Sequence, residues 1–313
     1  MPYKLTHGHL GPRNTGKSVS FYGVLDALPT KPVARLFTRF AASHPAKKES
    51  LGCAEGTVRK ARKNDGGPNL EPQQLVQAGE RTNFEGKSVR NAILLAIPDE
   101  EFNGIREHLQ LTELPQRTIL HEARQKVESV YFLNSGMISL VFTTREGETV
   151  EVGVVGNEGF APVSAAAGLH RTPHQAIMQI SGEGFRLSID HLETALKSGP
   201  RLREILNQRA AIHGLQVAQT AGCNRLHDLD QRLARWLLLT QDRVGSGLLR
   251  ITHDFLATML GTDRPSVSLA AGALQKKRII EYTHGAVRVL NRKKLESSAC
   301  ECYDLIRQYS TAK

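Results

Sequence analysis

The chain has 313 residues, a formal net charge of +10 and a pI of about 9.6. This length exceeds that of a typical single domain and predicts two folded domains with room for an extra segment. The sequence contains no apolar run of membrane-spanning length and no secretory core at its start, so we expect a cytoplasmic protein with no membrane partner.

The positive charge is unevenly distributed along the chain. Residues 1–90 hold 15 basic and 7 acidic residues, residues 91–227 hold 12 and 15, and residues 228–313 hold 14 and 9. The three segments therefore carry net charges of +8, −3 and +5. A basic balance indicates an anionic partner, and only the last segment combines that balance with the pattern of a folded domain.

The four cysteines, Cys53, Cys223, Cys300 and Cys302, are scattered along the sequence. The cysteines show none of the paired spacings that are typical of a zinc site or of a disulfide framework. The CxC at Cys300 is too small a ligand set for a metal on its own. From sequence alone we expect no metal site.

Residues 1–88 have short apolar bursts separated by stretches such as SHPAKKES and RKARKNDGGPN, which predicts a basic, disordered extension. Within it, Gly11–Ser18 reads GPRNTGKS and fits the phosphate-loop pattern GxxxxGK[ST]. Such a loop works between a buried strand and a helix, and no β-branched run precedes Gly11. A nucleotide hydrolase built on Lys17 is therefore the alternative function, which ATP or GTP turnover with and without Lys17→Ala would test. We find no other catalytic motif in a suitable context, so the chain is not expected to be an enzyme.

Residues 89–198 predict a helix pair followed by an antiparallel β-roll. NAILLAIPDEEFNGIREHL is helical, with Pro98 and Asp99 starting its second part. Then follow the short strands RTILHE, SVYFLN, MISLVFTT, TVEVGVV, AIMQIS and GFRLSI, with turn signals such as NSG and GNEG between several of them. Short strands without intervening helices favour a β-roll or jelly roll.

Residues 199–226 predict one long helix. Its apolar residues form one stripe with the seam spacing of a coiled coil and a second stripe beside it. The first stripe consists of Ile205, Ile212, Leu215, Gly222 and Leu226, and the second of Leu206, Ala210, Val217 and Ala221. One stripe can pack on the β-roll while the other meets a partner helix, although a long helix buried within one chain is the alternative.

Residues 227–313 predict a winged helix-turn-helix. Thr252 caps HDFLATML, Gly261 makes a tight turn, and Asp263 caps a second helix with Pro265 in its first turn. RIIEY and VRVLN form the two strands of a wing with Gly285 at its tip. The predicted fold class is thus α+β: a sensory β-roll, a long dimerisation helix and a C-terminal winged helix-turn-helix.

From about Asn91 to its C-terminus the chain resembles the Crp/Fnr family of transcription regulators, in the same order of elements. The helix-turn-helix and the preceding DQRLARWLLLTQDRVG carry most of this resemblance. It implies a homodimer whose recognition helices enter successive major grooves of a two-fold related DNA site, with RNA polymerase as a further partner. A sensor that acts through protein partners with a vestigial DNA-binding domain is a third possibility.

The resemblance also indicates which effectors fit poorly. Cyclic-AMP-binding relatives carry a Gly-Glu pair for the ribose, whereas this chain has Gly159-Phe160; Arg171-Thr172 matches the phosphate-binding pair. Losing the ribose carboxylate costs about 1.5–3 kcal/mol, so cyclic AMP is an unexpected effector. The β-roll contains no cysteine for an iron–sulfur cluster, and its histidines show no haem-ligand spacing. The effector is left unidentified, with Gly159, Arg171 and Thr172 as its expected contacts.

The resemblance places the first turns of the second helix against base edges. The base-reading residues implied are Arg264, Ser266, Ser268 and Leu269. Arg264 can donate twice to a guanine. The residues expected at phosphates are Thr252, Lys276, Lys277 and the wing residue His284.

Overall fold

The computed structural model describes residues 81–283 and 285–311, all of which belong to the unit Ala61–Lys313. The phosphate-loop motif and nearly all of the predicted extension lie outside the described residues. Residues 81–88, which the sequence placed in that extension, pack on the fold: Asn83 is buried and its amide donates to the carbonyl of Leu109 at 2.9 Å. No helix in the described part of the chain has the length and apolarity needed to cross a membrane.

Nine helices and eleven strands are assigned in the described residues. The helices are α1 (Ala92–Ala96), α2 (Asp99–Arg106), α3 (Ile189–Ser198), α4 (Pro200–Leu226), α5 (Leu229–Val244), α6 (His253–Leu260), α7 (Arg264–Lys276), α8 (Arg292–Glu296) and α9 (Cys302–Thr311). The strands are β1 (Gln110–Leu114), β2 (Ile119–His121), β3 (Ser129–Leu133), β4 (Met137–Thr143), β5 (Thr149–Val155), β6 (Phe160–Ala161), β7 (Gln175–Ile180), β8 (Gly182–Ser188), β9 (Leu248–Leu249), β10 (Ile280–Thr283) and β11 (Ala286–Val289).

Two four-stranded antiparallel sheets form the β-roll. Their strand orders are β1-β8-β3-β6 and β2-β7-β4-β5. Buried side chains such as Leu133, Ile138 and Met178 form a core cluster with members from both sheets. Because the strands alternate their side chains, the other face of each sheet is free to pack on helices. The predicted β-roll is confirmed, as is the α+β fold class.

Helices cover the first sheet. Phe132, Phe185 and Leu187 pack with the buried residues of α1, α2 and α3, and with Leu202 and Leu206 of α4. Asn91 caps α1, accepting from the N–H groups of the next turn while its amide donates to three backbone carbonyls. The N-terminal helix pair is thereby fixed to the roll.

The second sheet packs on the C-terminal domain. Met137, Val141 and Ile177 belong to the same hydrophobic cluster as Trp236 and Leu237 of α5. The sensory domain and the helix-turn-helix domain therefore share one continuous core in this conformation.

A close backbone approach joins the β3–β4 turn to the start of β8. A Cβ on Gly182 would lie 2.1 Å from the carbonyl oxygen of Ser135. We expect Gly182→Ala to destabilise the chain by about 1–3 kcal/mol, because backbone must move to admit the methyl group. Gly104→Ala is the control: this exposed position in α2 has nothing within 4 Å of its Cβ site, and the change should stabilise by about 0.5–1 kcal/mol. Urea denaturation of the two variants measures both effects, and equal shifts would contradict the prediction.

Candidate nucleic-acid interface and effector pocket

The helix-turn-helix is built by local signals that the sequence displays. The Thr252 hydroxyl accepts from the N–H of Phe255 and caps α6. Gly261 ends that helix in the left-handed region with φ of 60°, where a glycine is favoured. The Asp263 carboxylate accepts from the N–H of Ser266 at 2.7 Å and caps α7. The predicted caps and turn are confirmed.

Helix α7 has one buried face and one exposed face. Val267, Ala270, Ala271 and Leu274 are buried in the domain core. On the outer face, the side chain of Arg264 is 64% exposed and Leu269 is 77% exposed. A leucine this exposed on a helix contributes nothing to the core, so the outer face of α7 is available to contact another molecule.

Arg264 forms an exposed ion pair with Asp254. One guanidinium nitrogen lies 3.5 Å from a carboxylate oxygen of Asp254 on α6. The neighbouring Asp263 does not form this pair; its carboxylate accepts from the N–H of Ser266 as the cap of α7. Exposed pairs of this kind contribute about 0–1 kcal/mol, so Arg264 is free to exchange Asp254 for a stronger partner.

His253 connects the two helices to the wing. Its imidazole lies 2.9 Å from the hydroxyl of Ser268 and stacks on Tyr282 of β10 with a ring separation of 3.8 Å. Partial burial, followed by the charge of Arg264, lowers the pKa of His253, so the neutral form is favoured here. These two contacts join the start of α6 to both α7 and the wing, which sequence reasoning did not anticipate.

The described residues among the remaining predicted DNA contacts lie on or next to α6 and α7. Ser266 is half-buried in the first turn of α7, and Lys276 and Lys277 are exposed at its C-terminal end. Thr252 is exposed at the start of α6. His284 lies outside the described residues, between the two wing strands.

A small cleft lies between the β-roll and α4. Its lining is Val154, Val155, Glu158, Gly159, Phe160, Val163, Arg209, Ile212, His213, Gln216 and Ser310. Of the three predicted effector residues, Gly159 lines this pocket. Arg171 and Thr172 are outside that lining, and Arg171 donates to the backbone carbonyl of Arg124 at 3.1 Å.

The pocket has polar groups on its helical wall. Arg209 donates to the carbonyl of Ser310 at 3.2 Å, but its Nε is buried without a hydrogen-bond partner among the described residues. Burial lowers the pKa of His213 to about 4, with a further contribution from the charge of Arg243, so the ring is neutral at pH 7. A buried donor that lacks a partner is costly, so the wall is suited to an acceptor on a ligand.

Two carboxylates connect the β-roll to α5. The indole N–H of Trp236 donates to Glu151 at 2.9 Å, and the hydroxyl of Ser139 donates to the other oxygen at 2.5 Å. Burial raises the pKa of Glu151 to about 7. Arg243 donates to Glu158 at 2.9 Å; burial opposes ionisation of Glu158, but the Arg243 charge and hydrogen bonds outweigh it and lower its pKa.

Three of the cysteines, although far apart in the sequence, lie together in the fold. Cys223, Cys300 and Cys302 meet His227 where α4 ends, and this is the group of metal-type ligands found in the described residues. Sequence reasoning missed it because the two halves of the group lie more than 70 residues apart. The only sequence signals were the CxC and the i, i+4 spacing of Cys223 and His227, which places both on one face of a helix.

Residues 231–298 match the family of Crp-like helix-turn-helix domains. Among curated proteins, the chain is 26% identical over 173 residues to the global nitrogen regulator of Synechocystis sp., covering 52% of this chain and 77% of that protein. It is 22% identical over 192 residues to the global nitrogen regulator of Synechococcus elongatus, covering 58% of this chain and 86% of that protein.

Solved structures show the same fold. A Crp/Fnr-family regulator of Eubacterium rectale aligns with a TM-score of 0.54 at 17% identity, covering 66% of this chain and 96% of that one. The c-di-GMP-responsive global regulator CLP of Xanthomonas campestris aligns with a TM-score of 0.52 at 15% identity, covering 61% and 99%.

The order of elements, the capped helix-turn-helix and these likenesses agree with the resemblance that the sequence displays. None of them supports a phosphate-loop enzyme. Crp/Fnr regulators bind DNA and are dimeric. Residues 231–298 of this chain are a Crp-like helix-turn-helix domain, and the described residues share the fold of solved Crp/Fnr-family regulators.

Proposed function

We propose that two copies of this chain bind a two-fold related DNA site, each inserting α7 into the major groove, and that a small ligand in the β-roll controls binding. The exposed face of α7 is the observation that carries this proposal. Arg264 and Leu269 project from a helix whose opposite face is fully buried, next to a cap that orients its first turn. An α-helix fits the major groove, where base edges are distinguishable.

Helix α4 provides the surface for the second copy. Leu215 is 53% exposed and Leu226 is 77% exposed, and both belong to the stripe with coiled-coil spacing. Ile205, at the start of the stripe, is buried within the chain, so the exposed apolar side chains toward the C-terminal end of α4 are the part that favours burial against an equivalent helix. In the proposed dimer the two α7 helices lie about 34 Å apart, one turn of DNA.

The β-roll pocket is the proposed effector site. The buried Nε of Arg209 favours a small ligand with an anionic or carbonyl oxygen. Gly159 is the predicted contact that fits this location; Arg171 and Thr172 would have to move to reach a ligand there.

We expect cyclic AMP to show no binding at micromolar concentration in isothermal titration calorimetry, because no carboxylate follows Gly159 to hold the ribose. A panel of small carboxylates and phosphates should instead raise the melting temperature of the native chain, and the rise should be lost in Arg209→Ala. Arg171→Ala is the matched control and should keep the response. Saturable cyclic AMP binding that disappears in Arg171→Ala would contradict this assignment.

The Glu151 and Glu158 contacts provide the proposed coupling between ligand and DNA. Glu158 lines the pocket and also holds Arg243 of α5, so a ligand that displaces it changes the docking of the DNA-binding domain. RNA polymerase is the expected partner once DNA is bound, and the cytoplasm is the expected location because the target is chromosomal DNA.

Selection of bound sequences from a random DNA library tests the function as a whole. The expected result is an inverted repeat with half-site centres about 10 base pairs apart. Recovery of no enriched sequence, with binding that depends only on salt, would reject sequence-specific recognition and favour the sensor that acts through protein partners.

A further inference from the structure

A cluster of three cysteines and one histidine lies at the junction of α4 and α5, away from both the DNA-binding face and the effector pocket. Cys223 is on the last turn of α4 and His227 is its C-cap, while Cys300 and Cys302 flank the start of α9. The three cysteines are buried, and the imidazole of His227 is 16% exposed.

The ligand atoms are close enough to bind a single ion. All four lie within 4.8 Å of one another. The Sγ atoms of Cys223 and Cys300 are 3.5 Å apart, and the Sγ of Cys302 lies 3.6 Å from Nδ1 of His227. A tetrahedral zinc ion with Zn–S bonds of about 2.3 Å separates its sulfur ligands by about 3.8 Å, close to the 3.5 and 3.6 Å of these two pairs. A cluster of several irons would need more widely spaced ligands.

Side chains next to the cluster form hydrogen bonds to its histidine and to one of its cysteines. Nε2 of His227 lies 3.2 Å from a carboxylate oxygen of Glu301, which leaves Nδ1 directed at the sulfurs. A metal-bound histidine commonly donates its other ring N–H to a carboxylate in this way. Gln219 donates to the Sγ of Cys302 at 3.0 Å.

The surrounding charge favours an anionic centre. Zinc bound by three thiolates and a neutral imidazole carries a net charge of −1. Arg232 and Arg235 lie near the cysteines, and the Nε of each is buried without a hydrogen-bond partner in the described part of the chain. The guanidinium groups of Arg235, which is buried, and of Arg232, which is half-buried, offset that charge.

We propose that Cys223, His227, Cys300 and Cys302 bind one zinc ion in a closed tetrahedral site. On binding, the three thiols release their protons to solvent as three Zn–S bonds form, and the imidazole binds through Nδ1. All four positions are filled by protein ligands, so the ion is structural and has no open position for catalysis. It ties α9 to the point where the dimerisation helix passes into the DNA-binding domain.

Metal analysis of the full chain, purified under reducing conditions and supplied with zinc, tests the site directly. We expect one zinc ion per chain, lost in Cys300→Ser and in Cys302→Ser. Cys53→Ser, which changes the one cysteine outside the cluster, is the matched control and should keep one zinc ion. Glu301→Gln should weaken zinc binding about 10- to 100-fold while leaving all four ligands in place.

X-ray absorption at the zinc edge of the native protein does not depend on any variant folding. Three sulfur neighbours at about 2.3 Å and one nitrogen neighbour support the proposal. Four results would each overturn the proposal of a zinc site. The native chain could take up no zinc, or it could bind zinc through oxygen and nitrogen only. It could instead bind iron with inorganic sulfide, or hold a Cys223–Cys300 disulfide in the freshly reduced protein. DNA binding is not used as a readout, so the outcome is independent of the proposed function.

Discussion

Replacing Arg264 by alanine is expected to cost about 1–3 kcal/mol of binding free energy per half-site, which is about 5- to 150-fold in affinity. The loss should be confined to DNA that carries a guanine at one position, because the planar guanidinium can donate to both O6 and N7 of that base. The side chain is exposed and only loosely paired with Asp254, so little must be broken before it contacts DNA. Fluorescence anisotropy with the selected site and with single-base variants of it measures the effect.

Arg264→Lys is the sharpest control for this prediction. It keeps the positive charge but loses the two-pronged donor geometry, so it should retain non-specific affinity and still lose the guanine preference. Lys277→Ala should weaken binding to all sequences evenly and flatten the salt dependence. Equal losses on every single-base variant for Arg264→Ala would show that this residue reads no base and acts only by its charge.

Ionisation of Glu151 is expected to make the folded chain less stable as the pH rises from 4.5 to about 7. Burial raises its pKa from the ordinary value of 4.5 to about 7, so the folded state holds a proton that the unfolded state has released. The stabilisation is complete below pH 4.5 and is lost as the pH rises through 7. A shift of this size corresponds to about 3 kcal/mol of unfolding free energy.

Glu151→Gln should remove this pH dependence, because the amide is neutral at every pH and its oxygen can still accept from Trp236. Glu158→Gln is the opposing control. Burial opposes ionisation of Glu158, but the Arg243 charge and hydrogen bonds outweigh burial and lower the pKa of Glu158. Ionised Glu158 therefore stabilises the folded chain at a pH above the pKa that this residue has in the unfolded chain, and this stabilisation is lost in acid. Urea denaturation at several pH values compares the three proteins. A Glu151→Gln curve parallel to that of the native chain would contradict the prediction.

The same carboxylate links stability to the arrangement of domains. Glu151 of β5 is buried against Trp236 of α5, so a charge on Glu151 that water does not reach disfavours the contact between the second sheet and the C-terminal domain. We therefore expect the two domains to separate more readily at alkaline pH.

Several features were determined by the sequence because they depend on neighbouring residues. A cap needs a side-chain oxygen a few residues before the N–H that it satisfies, so Thr252 and Asp263 identified the starts of α6 and α7. A tight turn needs a residue that tolerates a positive φ, which Gly261 supplies. The same local patterns identified most strands of the β-roll, since alternation of apolar side chains lies within each strand. By contrast β1, with the letters QLTEL, has too few apolar residues to be recognised and is formed by pairing with β8.

Only the tertiary structure decided which distant residues meet. Glu151 and Trp236 are 85 positions apart, and Cys223 and Cys300 are 77 apart, so neither pairing leaves a trace in local periodicity. Arg264 pairs with Asp254 on α6 and not with its neighbour Asp263, whose carboxylate accepts from the backbone N–H of Ser266. These contacts depend on how the second sheet, α4 and the C-terminal helices pack together. Packing depends on the shape and charge of side chains that meet in three dimensions, whatever their separation along the chain.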